Sequence, residues 1–135
     1  MDEPCEPRTR SPRKLSARSR GRLERLRRDQ RAWSLTVRVA ITRRVSVRDL
    51  LHGARNQGNV ALSRQLAMYL VHVLLSRTQQ EVGFLFSRSR TTVTYACRNI
   101  EMLRDDPVFD EEVQRIEMQF SGYVRQQTTE LRHAA

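Results

Sequence analysis

The sequence predicts an all-α fold, and three observations carry that reading. Residues 78–104, TQQEVGFLFSRSRTTVTYACRNIEMLR, contain two helix starts. Thr78 and Glu81 have the spacing of a capping box, and Ser89 is placed to cap the run that follows it. Residues 66–75 are apolar on almost every side, as in a helix buried all round, so this stretch is the expected centre of the domain. Asp106-Pro107 is a capped start with proline at the first helical position. Asp110, Glu111 and Glu112 then stand where a helix N-terminus favours negative charge.

A chain of 135 residues suffices for one domain with tails. Residues 1–20 are proline, serine and arginine with almost nothing apolar, the composition of a disordered basic arm. Such an arm would either track phosphates without sequence preference or serve only as a solubilising tail. Residues 21–34 favour a linker helix, with Glu24 and Arg28 as an i,i+4 pair. Residues 35–126 form the domain. At its start, Leu35, Val37, Val39 and Ile41 alternate with Thr36, Arg38, Ala40 and Thr42, as in a strand. Leu26, Trp33, Val37 and Ile41 also fall on one helical stripe, so local pattern leaves both open. Residues 52–58 are a polar loop with two glycines, and Asn59 is the expected cap of a helix burying Val60, Leu66, Ala67, Leu70, Val71 and Leu74. In the last helix Val108, Val113, Ile116, Phe120 and Val124 form the inward stripe, and residues 127–135 are expected to fray.

Within residues 78–104 the first helix buries Val82, Leu85 and Phe86, while Gly83 allows a neighbour to come close. The turn is Ser87-Arg88-Ser89. The second helix puts Val93, Cys97, Ile100 and Arg104 on one stripe, with Ala96 and Leu103 beside it; Arg90, Thr91, Thr94, Tyr95 and Arg98 take the opposite side. A short helix, a tight turn and a second helix that begins polar and basic is the layout that fits a DNA major groove. A helical hairpin core with a solvated polar face is the competing account. The charge distribution favours the first. The net charge is +10, with 16 basic and 6 acidic side chains in residues 1–58, 5 against 1 in residues 59–100, and 4 against 8 in residues 101–135. Lys14 is the sole lysine; every other basic residue apart from the three histidines is arginine, which suits bidentate contacts to phosphate and guanine.

Three motifs also resemble a known family. Ser63-Arg64-Gln65-Leu66-Ala67-Met68-Tyr69-Leu70, then Glu81-Val82-Gly83 with Phe86, then Arg88 followed by Thr91-Thr92-Val93, look like the C-terminal duplex-binding domain of the bacterial replication initiator DnaA. The resemblance covers roughly residues 35–125. It implies a helix-turn-helix bundle of the tryptophan-repressor-like, DnaA C-terminal type, and it decides for helix over residues 35–42, with Val45 to Leu51 as the short segment that follows. By the same resemblance Arg64 and Gln65 touch the DNA backbone, Arg88 holds phosphate, and Thr91 and Thr92 contact a base and the backbone. Arg55 stands in the loop where the family has a minor-groove arginine, although that loop is one residue longer here. His72 replaces a usual basic residue, as a weaker contact or simply as surface. Ser87 stands where two glycines are usual, which shortens the turn by one residue. Ser89 and Arg90 occupy the places of an Asp and a His that help read bases in the family.

Other candidates come from the residues themselves. Thr78 and Gln79 lie at a helix N-terminus, a natural phosphate site. Arg90, at the mouth of the second helix, would read guanine or clamp a phosphate. Thr94 and Tyr95 are further contacts, with Tyr95 equally able to pack on the rim of the core. Catalysis finds no support: His52, His72 and His133 are scattered, without partners at metal spacing, so no metal, cofactor or small-molecule substrate is expected. A phosphate-cradling loop needs Gly-Lys-Ser/Thr, and Lys14 precedes Leu15, so no ATPase is expected. Cys5 and Cys97 make no disulfide framework, and no apolar run is long enough to span a membrane. The expected protein is a cytoplasmic, nucleoid-associated regulator of transcription or replication. It would act without an attached ATPase by occupying duplex DNA sites. Two alternatives stay open: an architectural DNA- or RNA-binding protein without sequence preference, and an interaction module whose helix over residues 21–44 pairs with another protein or in a homodimer.

Overall fold

A computed structural model describes residues 16–52 and 58–134, with side chains as far as residue 122. These residues form α1 (Ala17–Arg28), α2 (Gln30–Arg43), α3 (Val47–His52), α4 (Gly58–Leu74), α5 (Gln79–Phe86), α6 (Arg90–Leu103) and α7 (Pro107–Ala134), with no strand among them. Residues 1–15, and with them most of the expected arm, lie outside the described part.

The first two helices are divided by a cap. Ser16 accepts from the Ser19 amide at 3.2 Å, so α1 begins at Ala17 rather than at residue 21. Asp29 then leaves the helical conformation, and its carboxylate accepts from the Ala32 amide at 3.2 Å, which restarts the chain as α2. The expected single helix over residues 21–44 is therefore two. This break also corrects the apolar stripe. Leu26, Trp33, Val37 and Ile41 share a face only on one continuous helix. Once Asp29 resets the phase, α2 buries Ala32, Leu35, Thr36, Val39 and Ala40, while Ile41 is 72% exposed. The buried Thr36 hydroxyl donates to Ala32 O at 2.7 Å, so it is satisfied within its own helix. Residues 35–42 are helical throughout.

Helix α4 is the centre. Leu66, Ala67, Met68, Tyr69, Leu70 and Val71 are all buried, and α2, α3, α5 and α6 pack around it. Each fully buried leucine here contributes roughly 1.5–3 kcal/mol, so this one turn and a half outweighs any surface ion pair. The helix starts at Gly58, one residue ahead of the expected cap. Asn59 instead joins α4 to the end of α2, donating to Arg43 O at 3.2 Å and accepting from the Arg43 guanidinium at 2.8 Å.

On the far side α7 opens as expected, with Asp106 accepting from the Val108 amide at 3.0 Å. Val113, Ile116 and Phe120 are buried, but Val108 is 75% exposed because Phe109 takes the inward position in that first turn. Val124 falls among the residues whose side chains are not described, and the helix continues through residues 127–134. Leu103, expected beside the α6 stripe, is exposed at the helix end. Two arginines fasten this side: Arg43 bonds both Glu112 carboxylate oxygens at 3.1 Å, and Arg104 bonds Asp110 at 2.6 Å, Glu117 at 2.7 Å and the Tyr69 hydroxyl at 3.2 Å.

Candidate nucleic-acid interface

The pair α5 and α6 is built by its caps. Thr78 accepts from the Glu81 amide at 3.1 Å and starts α5; Ser89 accepts from the Thr92 amide at 3.2 Å and starts α6. Between them Ser87 adopts the left-handed conformation, with φ 56°, and the Arg88 amide reaches back to Gly83 O at 2.8 Å. A side chain at position 83 would put its Cβ 2.7 Å from Arg88 O, a backbone atom that cannot step aside. Gly83 is thus the floor on which the shortened turn lies. Helix α6 buries Val93, Ala96, Cys97 and Ile100. Arg90, Thr91, Thr92, Tyr95 and Arg98 are exposed, and Arg90, Thr91, Thr94, Tyr95 and Arg98 line one shallow depression along the helix. Tyr95, at 66% exposure, stands clear of the core rim.

Several expected contact residues have partners inside the protein. Arg64 Nε donates to Leu50 O at 2.7 Å and an Arg88 Nη donates to Leu51 O at 3.1 Å, so the two guanidiniums cap adjacent carbonyls at the end of α3. Such carbonyls have no partner within their own helix, and a cation suits that end. Burial, with Arg88 and Arg22 alongside, disfavours the charged form of Arg64 and pushes its pKa down to about 10. Burial with Arg22 nearby moves Arg88 in the same direction. Both stay charged at neutral pH. His52, at the same helix end, is held below the usual imidazole range by burial and then by Arg22, Arg48 and Arg88, so it is neutral there. Its Nε2 and the Arg88 Nε are buried without a hydrogen-bond partner.

Gln65 accepts through Oε1 from Asn99 at 2.6 Å, which ties the first half of α4 to α6. His72 Nδ1 lies 2.7 Å from Arg77 O, so it closes the loop after α4 rather than standing free as surface. The Thr94 hydroxyl lies within reach of Gln79 Oε1 and of Arg90 O, which turns it towards α5 and its own helix. The Ser89 hydroxyl is likewise engaged, 2.9 Å from that of Thr92. Arg55 falls outside the described residues. Sequence reasoning missed Arg25, which donates to Ser87 Oγ at 3.3 Å and lies 4.6 Å over the Phe84 ring, bracing the turn from α1. It also passed over Arg98 and Asn99 as site residues. Arg98 could have been found from its place two helical turns beyond Arg90. Asn99 gives no local signal, because its partner is 34 residues away.

Residues 36–100 match the family model described as the bacterial dnaA protein helix-turn-helix. Over these residues the chain is a bacterial DnaA-type helix-turn-helix. The match runs from α2 through α6 and leaves α1 and α7 outside it. Among curated relatives, chromosomal replication initiator protein DnaA 2 of Chlamydia trachomatis is 38% identical over 68 residues, 50% of this chain and 15% of its own length. Chromosomal replication initiator protein DnaA of Caulobacter sp. strain K31 is 41% identical over 76 residues, 55% of this chain and 15% of its own. DnaA 2 of Chlamydia pneumoniae is 34% identical over 76 residues, 56% of this chain and 17% of its own. The likeness to these DnaA proteins therefore covers a small part of each. Among the described residues, no group of three His, Cys, Asp or Glu side chains could hold a metal ion, and no helix is long and apolar enough to cross a membrane.

Proposed function

We propose that this chain binds duplex DNA through α5 and α6, with α6 in the major groove, and regulates replication initiation or transcription by occupying sites. The observation that carries the reading is the exposed face of α6, where Arg90, Thr91, Tyr95 and Arg98 share one depression. From residue 90 to residue 98 that helix has no acidic side chain. A major groove about 12 Å wide admits such a helix. The DnaA-type match supports the same reading, since its relatives are named as replication initiators.

Roles follow from what each side chain has free. Arg90 is exposed and reads guanine O6 and N7; Thr91 and Thr92 contact a base and the backbone. Arg64 and Arg88 hold phosphate with the N–H groups their carbonyl contacts leave over. Thr78 and Gln79 offer the α5 N-terminus to another phosphate. Ser89 and Thr94, committed to caps and to Gln79, serve the scaffold. With an arginine and a capping serine in place of the family's His and Asp, the preferred site differs from the initiator's box and holds a guanine opposite the start of α6. Binding needs no ATP hydrolysis, since the sequence has no Gly-Lys-Ser/Thr loop.

Selection of bound duplexes from a random pool tests the reading. A recovered consensus with a guanine supports it, and recovery of no consensus favours an architectural protein without sequence preference. Arg90→Ala should then cost about 1–3 kcal/mol at the selected site and relax one position. Arg88→Ala should weaken good and bad sites alike. Uniform weakening by Arg90→Ala would make that residue a phosphate clamp.

A further inference from the structure

The amide of Asn99 donates to Gln65 Oε1 at 2.6 Å, and both side chains are half-buried where α6 meets α4. A carboxamide has two unlike ends: the nitrogen only donates and the oxygen only accepts. A phosphate oxygen also only accepts. A glutamine that meets a phosphate must therefore present its nitrogen, and one that presents its oxygen is repelled.

We propose that Asn99 is a positioning residue for DNA binding: by taking up Gln65 Oε1 it holds the Gln65 NH2 group outward as a donor to a phosphate of the duplex. This rests on the duplex-binding reading above and adds a residue with no contact to DNA of its own. At ~100° per residue, Asn99 lies on the border between the exposed and buried faces of α6, next to Arg98. The Gln65 amide is thereby carried along the edge of the face that enters the groove. A free glutamine side chain loses rotamer freedom on binding, and one already held loses less.

The substitution Asn99→Asp keeps the shape but offers only acceptors, so Gln65 turns its nitrogen inward and its oxygen towards the phosphate. Fluorescence anisotropy on the selected duplex gives the affinities of the unmodified chain, N99D, Gln65→Ala and the double variant. N99D should weaken binding about tenfold in the unmodified chain and less than about twofold when residue 65 is already alanine. The residual twofold is the repulsion of the new carboxylate. Asn99→Leu, similar in size and without either function, should fall between, and it carries the same cycle if N99D does not fold. A scan of single methylphosphonates along the duplex adds a readout that packing alone would not move. One position should weaken the unmodified chain and leave N99D and Gln65→Ala nearly unaffected. Equal loss from N99D with and without Gln65, or the same methylphosphonate profile for all three proteins, would overturn the positioning role alone. An unmodified chain that binds no duplex would overturn the DNA reading and this proposal with it.

Discussion

Arginines on the two sides of α4 are held in different ways. Towards α7, Arg43 and Arg104 bond carboxylates, Glu112 for the first and Asp110 with Glu117 for the second. Against the burial that opposes it, hydrogen bonds from Arg104 to Asp110, Tyr69 and Glu117 raise its pKa. Towards α3, Arg64 and Arg88 bond the neutral carbonyls of Leu50 and Leu51. A guanidinium between carboxylates has its charge answered within the fold. One that rests on a carbonyl is fixed in place yet keeps its field, and an anion is its natural further partner. Glu112, Asp110 and Glu117 thus answer the arginines on one side of the molecule, while residues 59–100, which hold most of α4, the turn and most of α6, carry 5 basic side chains against 1 acidic.

The largest effect expected from breaking this contrast is at Arg104. Arg104→Met leaves Asp110, Glu117 and the Tyr69 hydroxyl without their common donor. The two carboxylates are partly exposed, although Tyr69 is buried, so the cost is about 2 kcal/mol rather than the full value for a dry ion pair. Urea unfolding should show that loss, with duplex affinity unchanged once the variant is folded. A drop in affinity alone would place Arg104 on the wrong side of the comparison.

A smaller effect sharpens it. Asp29 caps α2 and accepts from Arg77 at 2.9 Å, which ties the α1–α2 break to the loop before α5. The Arg77 hydrogen bond holds the Asp29 carboxyl below the usual carboxylate range. A depressed folded pKa adds stability that is present at neutral pH and is lost as pH falls through the folded value. Asp29→Asn keeps the cap and removes the charge. It should cost about 1 kcal/mol at pH 7, and the two proteins should converge below the Asp29 pKa. The arginine–carbonyl contacts at α3 have no titrating acceptor and should not follow that curve. No loss at pH 7 would show that Asp29 acts through its cap alone.

The smallest effect belongs to the arm. Because α1 starts at Ala17 and Ser19 is buried, the cut that leaves the fold whole removes residues 1–15 rather than 1–20. It takes away Arg8, Arg10, Arg13 and Lys14 with Asp2, Glu3 and Glu6, a small net change. Affinity for all duplexes should fall slightly, with a shallower salt dependence and the same preferred site. Loss of preference instead would mean that the arm reads sequence.

How much was legible beforehand follows the same divide between local and distant causes. The caps at Thr78 and Ser89, the buried stripe from Val93 to Ile100 and the all-buried run in α4 depend on neighbours within a turn or two, and all were readable. The phase of α2 was not, because the break at Asp29 leans on Arg77, 48 residues further along. The residue types of the candidate site were readable as basic and polar. Which of their hydrogen-bonding groups remained free was hidden, since Arg88 is spent partly on Leu51 and Thr94 on Gln79, each remote in the chain.

Trp33 gives the seam between α1 and α2 at Asp29 an optical label. It is the one tryptophan of the chain, its amide bonds Asp29 O at 2.9 Å, and the Arg27 guanidinium lies 4.7 Å over its indole ring. Its surroundings therefore change when α1 and α2 part, while α6, the helix proposed to meet DNA, is a separate element. The emission spectrum of this single indole is a built-in gauge of the Asp29 seam, readable without any dye or tag.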